Sequence, residues 1–212
     1  MPSSASVVPP DIVLSTPEGE HVPVTSLIGD NRLVLVQLVR YFGCLPCQDW
    51  LSQLDQAVGR LSATGIGVAA VGGSADYQAQ WLRDERGITM PLYLDPDHTF
   101  RTAVSADARL GLKLLNPRGA AAYTRSMRRG FRPQKVTRDT TLAPAVVILD
   151  RSLTVRWRHV GNRIGDYPPL AEVVRAAVDL VGTSRRPALR TDGQARPRVG
   201  PLQADVLKAV AQ

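Results

Sequence analysis

The chain has 212 residues, 44% of them hydrophobic, which is an ordinary globular composition and enough for one domain with a sizeable core plus additions. Its two cysteines exclude a framework of structural disulfides, and no uninterrupted apolar stretch approaches the length that spans a bilayer. The net charge of +7 is unevenly placed: residues 105–140 carry nine Lys/Arg against two Asp, residues 184–212 carry six against two, and the remainder is net acidic.

A basic segment of this kind attracts an anionic substrate, a nucleic acid or an acidic partner, or is simply a solvated face. Tyr123 and Phe131 are its only aromatics, so a base-stacking surface is not expected and nucleic acid is not the expected partner. The first residues, MPSSASVVPPDIVLSTPEGE, lack a basic stretch followed by a long apolar run. A cytoplasmic protein with reduced thiols, no membrane partner and an undetermined oligomeric state is the resulting expectation.

In chain order, residues 1–10 are rich in Pro and Ser and read as a flexible N-terminus. Asp11 to Leu14 reads as a strand, Thr16 to Glu20 as a turn, and His21 to Val24 as a short returning strand, before a helical turn at Ser26–Gly29. Leu33 to Val39 is an almost unbroken β-branched and aliphatic run, the pattern of a strand buried on both faces. After it come Arg40-Tyr41-Phe42-Gly43-Cys44-Leu45-Pro46-Cys47, and then a helical pattern through Trp50, Leu51, Leu54, Val58 and Leu61 that closes at Gly65. Ile66 to Val71 predicts a second strand, and Ser74 is placed to cap a helix running to about Glu85, with Trp81 and Leu82 inward and Gly87 at its end. Ile88 to Leu94 predicts a third strand, residues 99–104 a short helix, and Ala120 to Arg129 a helix inside the basic segment.

Pro144 opens a fourth strand, Ala145 to Leu149, which turns at Asp150–Ser152 into an alternating strand from Leu153 to Trp157. Leu170 to Val181 predicts a closing amphipathic helix, and the Arg/Pro-rich tail 184–212 a linker or surface wrap with one short helix at Gln203 to Val210. The fold class is therefore α/β: a mixed sheet flanked by helices, with early parallel strands and a late antiparallel hairpin. The domain spans 11–183 and carries a basic insertion at about 105–140.

The informative feature is Cys44-Leu45-Pro46-Cys47 at the junction of a buried strand and a helix. The first turn of a helix presents unpaired N–H groups and the positive end of the dipole, so a thiolate there is stabilised and its pKa falls below the free value of about 8.5. Cysteines three apart at a helix start can close a strained, reducible disulfide. Pro46 tolerates the first turn, where no N–H is needed, and stiffens the ring. Arg40 is close enough in sequence to add positive charge. The competing readings are half of a zinc site, which needs ligands beyond His21, His98 and His159, and a pair of inert buried cysteines. The redox pair is preferred, with no metal and no cofactor.

The order and character of these segments resemble the peroxiredoxin-like branch of the thioredoxin superfamily, with the alkyl hydroperoxide reductase and thiol-specific antioxidant family as the nearest description. The resemblance spans about Pro10 to Val181 and is anchored on Leu33–Arg40, Cys44–Cys47, Thr141–Asp150 and Arg156–Gly161. It implies a thioredoxin-like fold and a thiol-dependent oxidoreductase acting on disulfides or hydroperoxides. A thiol reductant of thioredoxin or glutathione type would restore the dithiol. It also implies that Pro144 is a cis-proline facing the dithiol, leaving the backbone groups of Ala143 to pair with an extended substrate.

The departures are specific. Peroxidatic sites of the family read Pro-x-x-x-Thr/Ser-x-x-Cys. With Cys47 in the peroxidatic place, Cys44 stands for Thr/Ser and Arg40 for Pro, while Pro144 occupies the place of the usual peroxide-orienting arginine. The acidic residue that thioredoxin carries on the preceding strand falls near Leu38 and Gln37. Two mechanisms stay open: disulfide exchange with Cys44 as an exposed nucleophile resolved by Cys47, or attack of Cys47 on a hydroperoxide followed by condensation with Cys44. The other class of function is a non-catalytic thioredoxin-fold module presenting its basic surface to a partner.

Overall fold

The least polar run of the chain becomes the centre of the molecule. In the computed structural model, which describes residues 6–73, 75–137 and 140–184, β3 (Leu33–Leu38) lies between β4 (Ile66–Gly72) and β6 (Ala145–Asp150), and all its side chains are buried. The seven-stranded sheet has the order β2-β1-β5-β4-β3-β6-β7, completed by β1 (Val13–Ser15), β2 (His21–Pro23), β5 (Leu92–Leu94) and β7 (Val155–Val160). The pairs β3/β4 and β4/β5 are parallel, as expected of strands joined by helical crossovers. The pairs β3/β6 and β6/β7 are antiparallel.

A buried strand of period two feeds two cores. Leu33, Leu35 and Val39 face one layer, formed by α1 (Leu45–Asp55), α2 (Val58–Ser62), α3 (Asp76–Arg86) and α6 (Leu170–Ser184). Val34, Val36 and Leu38 face the other, where Leu14, Val24, Leu27 and Phe100 of α4 (Thr99–Ala103) pack. The basic insertion contributes a 3-10 turn at Gly111–Leu115 and α5 (Pro117–Arg128), which opens on Asn116, whose side chain accepts from the Arg118 N–H. No helix among the described residues is long and apolar enough to cross a membrane.

Three local expectations change. The pattern from Trp50 to Leu61 is two helices, broken at Gln56–Ala57. The strand expected over Ile88–Leu94 shortens to Leu92–Leu94 because the N–H groups of Thr89 and Met90 bond the Asp55 carboxylate, and Pro91 has none to give. Ser6–Val8 are pinned to the hairpin: Val8 is fully buried and its N–H donates to Leu153 O at 2.9 Å, while Val155 N–H donates to Ser6 O. The proposed capping by Ser74 and the tail beyond Ser184, with its short helix, lie outside the described residues.

Arg101 fastens the end of β3 to its surroundings. Its guanidinium, only 3% exposed, donates to Val39 O at 2.7 Å, Ala143 O at 2.8 Å and Ala106 O at 3.0 Å, and its backbone N–H bonds Asp95. Replacing it leaves buried carbonyls without donors. Arg101→Met is expected to lower stability by about 3 kcal/mol or more in denaturant unfolding.

Candidate active site

The strand–helix junction builds the site. Leaving β3, the chain turns through Arg40–Gly43, and Cys44 takes an extended conformation as the residue before α1 (φ −75°, ψ 120°). The Gln48 N–H donates to Cys44 O at 2.9 Å as the first helical bond, so the amides ahead of it have no helical acceptor. Cys47 thus sits in the first turn, at the positive end of the helix. Gly43 is held closely: its N–H donates to Gln78 Oε1 at 3.0 Å, and a Cβ there would lie 2.7 Å from Gln78 and 2.9 Å from Gln134.

Both sulfurs are free thiols and both have no exposed surface. This corrects the picture of Cys44 as an exposed nucleophile. The cover comes from two distant parts of the chain. From α5, Tyr123 places its hydroxyl 3.8 Å from Cys44 Sγ and 3.4 Å from the Tyr41 hydroxyl. From the strap between β7 and α6, Tyr167 brings its hydroxyl to the Cys47 sulfur, with Leu38 O, 3.4 Å away, as the alternative acceptor of its single proton.

The strap is pinned by Asp166, which accepts from the Asn162 N–H and pairs with Arg163 at 2.6 Å. Gly165 (φ +68°) lies so close to the dithiol turn that a Cβ would fall 2.9 Å from both Pro46 and Ala122. The insertion is anchored to α1 itself: Ser126 Oγ donates to Asp49 Oδ2 at 3.0 Å, and Arg129 Nη1 donates to Oδ1 at 2.9 Å. Part of the basic segment is therefore a lid over the dithiol.

Charge separates the two cysteines. Burial alone would raise the Cys47 thiol, but a hydrogen bond from Cys44, the guanidinium of Arg40 and the hydroxyl of Tyr167 outweigh it and bring Cys47 down to about 6. Cys44 is pushed well above its ordinary value by burial and by the neighbouring Cys47. The pair thus favours a Cys47 thiolate receiving the Cys44 S–H. Burial also pushes Tyr123 and Tyr167 up, so both stay protonated donors. Gln37 donates through Nε2 to Cys47 O at 3.0 Å, and its buried Oε1 has no protein partner.

No family model matches the chain. A curated relative, the Thioredoxin-like protein AAED1, chloroplastic, of Arabidopsis thaliana, is 22% identical over 167 residues; the match covers 74% of this chain and 66% of the relative, just under two thirds of its length. Among solved structures, Xanthomonas campestris Peroxiredoxin Q superposes with a TM-score of 0.58 at 12% identity, covering 85% of this chain and 98% of its own. Peroxidoxin BcpB of Mycobacterium tuberculosis gives 0.60 at 10% identity, with 86% and 97% covered. The reduced 2-Cys peroxiredoxin of Plasmodium vivax gives 0.58 at 14% identity, with 92% of each chain covered. The chain shares the fold of these peroxiredoxin structures.

Within that peroxiredoxin fold, some expectations land elsewhere. No cis peptide bond occurs among the described residues, so Pro144 is trans, and its carbonyl accepts from the Gly161 N–H at 2.8 Å. The Ala143 backbone is not open to a substrate: its N–H donates to Ala108 O at 2.8 Å and its carbonyl receives Arg101. Pro46 packs against the strap as described. Arg40 is fully engaged. Its Nη1 points at Cys44 Sγ at 3.7 Å, its Nε donates to Leu142 O at 3.2 Å, and its Nη2 donates to Thr140 O. Arg40 is the guanidinium that faces the dithiol.

Tyr123, Tyr167 and Gln37 had no site role in the sequence reading. Gln37 carried the one available signal, a polar residue inside an apolar strand. Removing the Tyr167 hydroxyl takes a donor from the Cys47 thiolate, so Tyr167→Phe is expected to move its titration upward from about 6. The far-ultraviolet thiolate absorbance against pH measures this, and an unchanged midpoint would remove Tyr167 from the site.

Proposed function

We propose that this protein is a thiol-dependent peroxidase of the antioxidant type, with Cys47 as the attacking thiolate and Cys44 as the resolving thiol. The observation that carries the reading is the division of labour between the sulfurs: Cys47 is held down at about 6 in the first turn of α1, and Cys44 is kept protonated beside it. The thiolate is the form that attacks, so a thiol ionised at neutral pH has the required nucleophile ready.

The chemistry balances with a hydroperoxide as oxidant. The Cys47 thiolate attacks one peroxide oxygen, an S–O bond forms, the O–O bond breaks, and the leaving alkoxide takes a proton to become an alcohol. Cys47 is then a sulfenic acid. The Cys44 sulfur attacks it, the S–O bond breaks, and the Cys44 proton leaves with the hydroxide as water. The product is a Cys44–Cys47 disulfide, which two electrons from a thiol reductant return to the dithiol. Arg40 stabilises the anionic sulfur, and the unpartnered Gln37 Oε1 is an acceptor for a peroxide hydrogen.

Burial supports a hydroperoxide over a protein disulfide. Neither sulfur has exposed surface, and Tyr123 and the strap must shift for any oxidant to enter. A hydroperoxide group needs a far smaller opening than a folded partner. The exchange mechanism loses its premise of an exposed Cys44. A non-catalytic module is not favoured, because a vestigial pair gains nothing from a thiolate surrounded by donors.

Two variants test the assignment. Cys44→Ser keeps a donor beside Cys47 and is expected to consume about one equivalent of hydroperoxide and stop at the sulfenic acid. Cys47→Ser is expected to consume none. Peroxide consumption by Cys47→Ser at the wild-type rate would overturn the reading. In the wild-type protein the rate of peroxide reduction should rise with pH to a half-maximum near 6 and then level, following the Cys47 thiolate.

A further inference from the structure

A surface groove of about 260 Å³ runs along the outer side of the dithiol turn, between α1, α5 and the strap. Its lining includes a stacked pair of rings, Trp50 and Tyr167, with centroids 5.1 Å apart, and Trp50 is fixed by donating from Nε1 to Pro168 O at 3.0 Å. Pro46, one of the two residues between the cysteines, lines it together with Arg125 and Arg129 of the insertion. The single lining carboxylate, Asp49, is already taken up by Arg129, Ser126 and Gln53. Arg125 is exposed, and among the described residues no acidic side chain pairs with it. The groove is thus cationic on the insertion side, and two residues that line it adjoin the dithiol: Pro46, next to Cys47 in sequence, and Tyr167, whose hydroxyl reaches Cys47.

We propose that this groove binds the carboxylate-bearing body of a low-molecular-weight thiol, the reductant that reopens the Cys44–Cys47 disulfide. The proposal rests on the peroxidase reading. Each turnover leaves a disulfide formed from two sulfurs without exposed surface. A protein reductant would have to lift the insertion, in which α5 is tied to Asp49 through Ser126 and Arg129 and the segment after it is tied to α3 by the donation of Gln78 Nε2 to Lys135 O at 2.7 Å. A thiol the size of a tripeptide needs only a shift at Pro46 and Tyr167.

Its carboxylate meets Arg125, and the net positive charge of the insertion raises its local concentration. The first thiolate attacks one sulfur of the disulfide, the S–S bond breaks, and the released cysteine takes a proton. A second thiol then attacks the mixed disulfide, frees the other cysteine and leaves as the oxidised small disulfide. Two electrons pass from two thiols to the protein.

The test compares glutathione, which carries carboxylates, with neutral β-mercaptoethanol as reductants of the peroxide-oxidised protein, with rates corrected for thiolate fraction. Reduction by glutathione should saturate and exceed that by β-mercaptoethanol, and the ratio of the two should fall about tenfold in Arg125→Ala. Arg118→Ala, on the same helix but outside the groove, should keep the ratio.

In parallel, S-methylglutathione, which cannot react, is titrated calorimetrically into the reduced protein. Binding that is lost in Arg125→Ala supports the groove whatever becomes of the peroxidase reading. A failure of peroxide to form the disulfide would count against that reading alone. A rate ratio near one, a ratio indifferent to Arg125→Ala, faster reduction by a thioredoxin at equal thiol concentration, or no binding of S-methylglutathione would each overturn the proposal.

Discussion

The structure is organised around one constraint: a sulfur with no contact to water must still carry negative charge. Burial opposes this, because an ion loses its hydration when it leaves water. The opposition is met at Cys47 by donors from separate elements, namely the first turn of α1, the thiol of Cys44, the guanidinium of Arg40 and the hydroxyl of Tyr167. Each group is in turn fixed by packing or by bonds to backbone carbonyls, such as that of Leu142. Such preorganised donors act most strongly where water is absent, so the burial that raises a lone thiol also strengthens the groups that lower this one.

The same constraint explains why the basic insertion is where it is. Read as charge alone, it is a solvated face, and most of its arginines do point outward. Yet Tyr123 and Ser126 turn inward, and their contacts with Cys44 and Asp49 close the site from above. Closure keeps the dithiol dry and polarised, and the cost is access. Polar bonds from Ser126 and Arg129 to Asp49 hold the insertion to α1.

Much of this was legible in the sequence because it is local. The apolar run Leu33–Val39 could only be an interior strand, the spacing of Cys44 and Cys47 placed them at a helix start, and Gly87 ended α3 in the left-handed conformation its position called for. What stayed hidden depends on contacts across the fold. Tyr167 is more than a hundred residues from Cys47, and no periodicity marks it. The shortening of β5 follows from Asp55, which captures the Thr89 and Met90 amides from a different element. Pro144 shows the limit of resemblance: the position matches, but its bond is trans and the neighbouring backbone serves Arg101 and Ala108.

On the proposed peroxidase reading, Arg40 offsets that mismatch. A thiolate attacking a peroxide needs a fixed positive charge nearby, and the demand concerns where the charge lies, not which strand supplies it. Here the strand after the insertion offers a proline, which has no charge and no N–H. The turn before α1 offers an arginine whose own carbonyl partners, at Thr140 and Leu142, lie just ahead of that strand. The cation is thus tied to the segment that leads from the insertion into β6. Mounting it four residues before Cys44 makes its placement depend on the lid's return path through residues 140–142. The site and the closing end of the insertion are therefore joined through Arg40.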